Sequence, residues 1–158
     1  MTNAEVQLIK ATERDSTEIW TMQKAAFTDL LIKYQDYETS PANEPLEKTI
    51  TRLNQPFTYF YFIVENGKKV GAIRVVDKKS EGGLKHISPL FIMPEYRNRG
   101  YAQAAILKAE KIHGSNGWEI DTILQEPSNC HLYEKMGYHR TDKVKEANSK
   151  LTLIYYRK

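Results

Sequence analysis

The sequence predicts an α/β (α+β) fold, a mixed, mainly antiparallel sheet of about seven strands flanked by helices. Three observations carry this. Strand-length apolar and aromatic runs alternate with segments of helical period, in the order β-α-α-β-β-β-α-β-α-β-β. Two neighbouring strand runs, at 58–66 and 69–78, are separated by a tight turn at Gly67 and Lys68, which makes a hairpin. A further strand run stops at Pro94 and passes through a short basic turn into a strong helix former.

Taken in order, the first strand covers 6–11, where Val6, Leu8 and Ala11 partly alternate with polar residues. Asp15 or Ser16 can cap a helix that runs to about residue 35, with Ile19, Met22, Ala26 and Leu30 at helical spacing. Two prolines and small polar residues make 36–45 a loop, and a short helix follows at 46–54. After the hairpin, a turn at 80–83 leads into a strand at 84–92. A helix opens at Gly100 and stops at Gly114, a strand covers 118–124, and a short helix covers 128–136 with Gly137 at its C′ position. Two last strands, 138–144 and 150–157, form an antiparallel tail. With no repeat, low-complexity tract or linker, residues 1–158 read as one domain.

Pro89 stands inside a strand that should be central, where a residue without an N–H leaves a ladder position empty. A bulge there would splay the strand from its neighbour and expose the backbone of Leu90, Phe91 and Ile92 to a ligand bearing amide groups. The alternative is a local kink with no ligand.

Composition narrows the function classes. The 158 residues are 41% hydrophobic and 27% charged, which excludes wholesale disorder. No apolar run approaches the roughly 20 residues that span a bilayer, so no membrane partner is expected. The start, MTNAEVQLIKATERD, has no basic stretch followed by an apolar one, and the single cysteine, Cys130, cannot form an internal disulfide. A cytoplasmic location is the expectation. The net charge of +3 is dispersed along the chain, without the basic stripe of a nucleic-acid binder. No His, Cys and Asp cluster has metal-ligand spacing, so no metal is expected.

The chemistry-bearing stretch is Arg97-Asn98-Arg99-Gly100-Tyr101-Ala102 with the helix that follows. A strand feeding such a turn points several N–H groups at one spot, and the helix dipole adds about half a positive charge there. A diphosphate is the natural occupant. This pattern resembles the Arg/Gln-x-x-Gly-x-Gly/Ala pyrophosphate loop of the GNAT superfamily of acetyl-CoA-dependent N-acetyltransferases, and Ala102 stands where many members carry glycine. Ile92 to Tyr96 is similar to that family's strand exit, and 129–137 (NCHLYEKMG) to its later helix.

The resemblance implies that Leu90, Phe91 and Ile92 hold the pantetheine arm of acetyl-CoA through their backbone. It implies that N–H groups from Asn98 through Arg99, Gly100, Tyr101 and Ala102 to Gln103 hold the pyrophosphate, with Arg97 and Arg99 adding charge. Asn129 would contact the pantetheine region, and Tyr133 would protonate the departing thiolate. A phenol of pKa about 10 is protonated and suited to a leaving thiol near 8.5. Asn129 and Tyr133 lie four residues apart and share a helix face.

An alkyl amine of pKa about 10.4 costs about 4.6 kcal/mol to present neutral at pH 7, and an α-amine near 8 about 1.4 kcal/mol, so the need for a base depends on the acceptor. His86 stands where many family members carry a glutamate, and Glu126, Asp121 or a water oriented by Ser88 are alternatives. Cys130 reads as a packed helix residue rather than a nucleophile. Tyr34, Tyr37, Tyr59 and Tyr61 could line the acceptor side or simply pack. The expected partner is a small-molecule or peptide amine, and the resemblance is compatible with a homodimer. The competing reading is a non-catalytic acyl-CoA-binding module of the same fold, which would have no need of a donor at the sulfur.

Overall fold

A computed structural model describes residues 5–79 and 83–158. Within them the chain runs β1 (Gln7–Lys10), α1 (Ser16–Tyr34), α2 (Leu46–Asn54), β2 (Thr58–Glu65), β3 (Lys68–Val76), β4 (Lys85–Ile92), α3 (Tyr101–His113), β5 (Trp118–Ile123), α4 (Pro127–Lys135), β6 (His139–Glu146) and β7 (Thr152–Arg157). This is the predicted order. Single turns of 3-10 helix at Glu13–Asp15, Pro41–Asn43 and Pro94–Tyr96 go beyond it. The turn expected at 80–83 lies largely outside the described residues.

Two local details differ from expectation. Asp15 does not cap α1. Its carboxylate instead accepts from the Thr12 N–H at 2.9 Å, closing the preceding turn. The hairpin turn centres on Asn66 and Gly67, with φ of 50° and 76°, because a two-residue turn of the right twist needs positive φ at both positions.

The seven strands form one sheet in the order β1-β2-β3-β4-β5-β7-β6. Every pairing is antiparallel except β4 with β5. Each face carries a core. Alternate residues of β2 send Tyr61 and Ile63 to the α3 and α4 side, with Ile73, Ile106 and Trp118, and send Phe60 and Phe62 beneath α1, with Ile19, Ala26 and Phe91. Burying each large apolar side chain contributes about 1.5–3 kcal/mol. Among the described residues no helix is long and apolar enough to cross a membrane.

The sheet opens at its centre. β3 pairs Ile73 with Leu90 and Val75 with Ile87, so β4 carries one more residue than its partner across that step, and the surplus sits at Ser88 and Pro89. On the other side, among the described residues, β4 pairs with β5 only at Lys85↔Trp118 and His86↔Glu119. Beyond His86 the two strands part, leaving the β5-facing edge of Leu90, Phe91 and Ile92 without a ladder partner. Arg74 staples the bulge, donating to the Ser88 carbonyl at 2.8 Å and to Gln55 Oε1 at 3.0 Å. Gly71 permits the close approach of β3 and β4, since a Cβ there would stand 2.1 Å from the Phe91 carbonyl oxygen.

Candidate active site

The parting of β4 and β5 opens a cleft of about 820 Å³. One wall is Leu90, Phe91 and Ile92, continuing into the loop that starts α3. The other is Asp121, Thr122 and Ile123 of β5 with Asn129 and Tyr133 of α4, and the connection between α1 and α2 makes the lip.

The loop is built by backbone constraint. Pro94 starts a single 3-10 turn, Asn98 takes φ of 64°, and Gly100 takes φ of 82° at the N-cap of α3. A side chain at such a φ is strained, so glycine suits that position. The first N–H engaged within the following helix start is that of Ala104, which donates to the Gly100 carbonyl at 3.0 Å. The N–H groups from Asn98 to Gln103 have no acceptor among the described residues. They gather at the positive end of the α3 dipole, and the first turn of α3 carries no acidic residue. An anionic, multiply accepting group fits this set.

The side chains of the loop are disposed differently from the sequence expectation. The Arg97 guanidinium turns towards α1, where it donates to Asp29 Oδ2 at 2.9 Å and to the Ala26 carbonyl, with Nε 3.4 Å from the Ile92 carbonyl. These contacts tie the loop to α1, and Arg97 also lines the cleft beside the loop N–H groups. Arg99 lies 5.7 Å over the Tyr96 ring and is not among the residues lining the cleft. Tyr101 packs into the core and donates its hydroxyl to Glu65, so only its main chain faces the cleft. Ala102 and Gln103 line it.

Asn129 and Tyr133 face the cleft together. The Tyr133 ring packs edge-on against Tyr138, and its hydroxyl has no hydrogen-bond partner among the described residues. Burial, aided by the Asp121 carboxylate and Cys130, pushes the phenol well above its ordinary pKa, which keeps it protonated. Cys130 is buried, with Sγ 3.8 Å from the Ile123 carbonyl, as a packed residue should be.

The three candidate bases separate. His86 does not line the cleft. Its Nδ1 lies 3.7 Å from Glu119 Oε1, in the part of β4 still zipped to β5, because the fork opens only beyond that pair. His86 thus lies at the closed end of the fork, where its charge acts on Asp121. In Glu126, burial favours the neutral form, but hydrogen bonds from Lys33 (2.6 Å) and Tyr34 outweigh it and hold the carboxyl below the usual range. Asp121, two residues beyond Glu119, lines the cleft and has no ion-pair partner among the described residues. Its burial raises the carboxyl pKa, against its own backbone hydrogen bond and the nearby His86. It is therefore the more basic carboxylate.

Of the four tyrosines considered for the acceptor side, none lines the cleft. Tyr59 stacks on His113 at 4.8 Å, Tyr61 shares a hydrogen bond with the same ring at 2.8 Å, Tyr34 serves Glu126, and Tyr37 is exposed. The lip is instead polar, and sequence reasoning missed it. Glu44 is its hub, accepting from both Nη atoms of Arg52 (2.8 and 3.1 Å), from Gln23 (2.8 Å) and from Lys48 (3.1 Å). Lys48 and Arg52 share one face of α2, and Glu44 reaches them from the extended segment just before the helix.

Residues 18–138 match the acetyltransferase (GNAT) family. The chain belongs to the GNAT acetyltransferase family. No curated protein matches it in sequence. Among solved structures it is similar to the spermidine N-acetyltransferase of Vibrio cholerae in complex with CoA and spermine, with TM-score 0.76, 16% identity, and coverage of 98% of this chain and 95% of that one. It is also similar to the ribosomal-protein-S18-alanine N-acetyltransferase of Escherichia coli (TM-score 0.73, 9% identity, 96% and 91% covered). The PaiA N-acetyltransferase of Thermoplasma acidophilum in complex with coenzyme A gives TM-score 0.67 at 13% identity, with 98% and 100% covered. These likenesses show the GNAT fold, with the forked sheet and the helix-start loop as its open features in this chain.

Proposed function

We propose that this GNAT chain is an N-acetyltransferase that moves an acetyl group from acetyl-CoA to a primary amine by direct attack in a ternary complex. The observation that carries this reading is the fork itself. A row of unpartnered N–H groups lies along one wall, and a protonated phenol and a raised-pKa carboxylate lie on the other. In support, relatives of the same fold hold CoA, and others act on a polyamine or a protein amine.

In this reading the main chain of Leu90, Phe91 and Ile92 binds the amide-bearing arm as a surrogate strand would. The N–H groups from Asn98 to Gln103 hold the diphosphate, and Asn129 steadies the arm from α4. Acetyl-CoA supplies the thioester whose carbonyl carbon is attacked. Asp121 takes a proton from the acceptor nitrogen. Deprotonating an alkyl ammonium at pH 7 costs about 4.6 kcal/mol, and a carboxylate whose basicity is raised by burial is suited to that role. Tyr133 supplies a proton to the departing sulfur. The acceptor is a small-molecule or peptide amine, and the cytoplasm is the compartment that suits a chain with a single buried cysteine.

The test is thiol release from acetyl-CoA over a panel of amines, with CoA binding followed separately by calorimetry. The expected outcome is acceptor-dependent release that falls about 10²–10⁴-fold in Asp121→Asn with CoA affinity retained. Absence of CoA binding at millimolar concentration would refute the cradle, and unchanged turnover in Asp121→Asn would refute the base.

A further inference from the structure

We infer that His86 carries the surplus proton of the reaction from Asp121 to solvent, through the closed end of the fork and away from the bound substrates. This rests on the transfer reading above, in which Asp121 takes a proton from the acceptor.

Proton balance sets the need. As the C–N bond forms and the C–S bond breaks, an alkyl ammonium loses two protons and the departing sulfur gains one. One proton per turnover must reach bulk water. Tyr133 supplies the proton for sulfur and is reprotonated by the second proton from nitrogen. The surplus proton then sits on Asp121, whose burial favours the protonated form. Asp121 lines the cleft that the pantetheine arm and the acceptor would fill, so the way back through the cleft is blocked while they are bound.

The strand register offers another way out. His86 pairs in parallel with Glu119, and Asp121 lies two residues beyond Glu119 on the same face of β5. His86 and Asp121 are therefore diagonal neighbours, about 8 Å apart at Cα from the strand spacing and rise. Their side chains and one water span that gap. The His86 side chain lies outside the cleft and is 45% exposed, so the ring meets solvent on the side away from the substrates.

Glu119 prepares the ring for this role. Its Oε1 lies 3.7 Å from His86 Nδ1, and its carboxylate is held in turn by Arg157 at 3.1 Å and Lys143 at 3.7 Å. A carboxylate on that side favours the Nδ1–H tautomer, leaves Nε2 free to accept, and stabilises the imidazolium once it forms. Imidazole then exchanges its proton with water near neutral pH. The other groups around Asp121 are unsuited. Tyr155, opposite it on β7, and Tyr133 on α4 are phenols whose pKa burial raises further. Lysine and arginine side chains such as Lys143, Lys145 and Arg157 keep their protons at neutral pH. Glu119 is 5% exposed and hemmed in by its cations.

The experiment measures thiol release at saturating substrates in a weakly buffered solution, for the parent, His86→Ala and His86→Lys. In His86→Ala kcat is expected to fall at least tenfold while KM for acetyl-CoA stays put, and imidazole added to the solution should restore at least threefold. A merely structural histidine would not be rescued by free imidazole. His86→Lys keeps a positive charge beside Asp121 but does not exchange protons at neutral pH, so it should stay slow. Parent rates in either variant, or a His86→Ala deficit that imidazole leaves unchanged, overturn the outlet. If the parent turns over no amine, the transfer reading fails, and nuclear magnetic resonance decides the outlet separately. The C2 proton of the His86 ring, assigned by its loss in His86→Ala, is followed across pH in the parent and in Asp121→Asn. Its titration curve should move to lower pH in Asp121→Asn, because a neighbouring carboxylate favours the imidazolium. An unmoved curve overturns the coupling of the two residues and the outlet with it.

Discussion

Replacing Gly71 with alanine tests the geometry of the fork without touching any group assigned to chemistry. The added Cβ would lie 2.1 Å from the Phe91 carbonyl oxygen, where ordinary contact begins at 3.4 Å, so β3 and β4 must separate by about 1.3 Å. A ladder bond of about 2.9 Å does not survive that displacement. Losing two such bonds costs about 2 kcal/mol, and overpacking adds about 1–3 kcal/mol, which gives about 3–5 kcal/mol in all. For a domain of this size the melting temperature should fall by about 6–20 °C. The displaced segment is Leu90 to Ile92, the wall proposed to bind the pantetheine arm, so CoA affinity should fall with stability. Thermal unfolding followed by circular dichroism, with CoA calorimetry below the transition, measures both. A Gly71→Ala protein that melts within a degree or two of the parent and binds CoA normally would refute the close approach of the two strands, and with it the account of why the fork holds its shape.

Other outcomes follow from the same structure. Gly100→Val forces a β-branched residue to φ of 82°, a strain of at least about 1–2 kcal/mol, and should weaken CoA binding in calorimetry through a distorted loop. Tyr133→Phe removes a hydroxyl with no partner among the described residues, so its stability in urea should change by less than about 1 kcal/mol, while steady-state turnover at saturating substrates falls about 10²-fold. Burial alone would raise the Glu44 pKa, but its bonds from Arg52, Lys48 and Gln23 prevail and depress it below 4.5. A carboxyl depressed on folding contributes stability that is fully present above its unfolded pKa and is lost as pH falls through the folded one. Urea titrations across the acid range should show that loss in the parent and a flatter profile in Glu44→Gln, which is also less stable at pH 7 by about 3–5 kcal/mol because Arg52 is left unpaired.

Much of this architecture was legible in the sequence because local signals and tertiary demands agree. The apolar period of α1, the β-branched and aromatic run of β2 and the Gly100 and Gly114 bounds of α3 each name their element, and Pro89 announced the bulge. Disposition of side chains was less legible. Arg97 reads as a phosphate ligand from its loop, yet its guanidinium lies against Asp29 on α1, 68 residues away in the chain, a contact that no local pattern encodes. The place of His86 was illegible for a related reason. Whether a strand residue faces the cleft depends on where β4 leaves β5 and on the bulge between, and both are set by pairing with distant strands. Asp121 looked like one solvated acid among several until β5 placed it in the fork. The lip was not legible because Glu44 lies before α2 and its contact with Gln23 of α1 is made only by the fold.

β7 is made after all the other strands, yet it sits inside the sheet, between β5 and β6. Its five paired positions with β5, from Glu119↔Arg157 to Ile123↔Leu153, brace the wall that carries Asp121. During vectorial synthesis, β5 therefore waits as an open edge, joined to β4 at only two positions, until residues beyond 150 have left the ribosome. The nascent chain can assemble the α1, β2, β3 and β4 half early, but the cleft should acquire its second side only once β7 has been made, and a chain stopped before β7 would present a half-built sheet to chaperones.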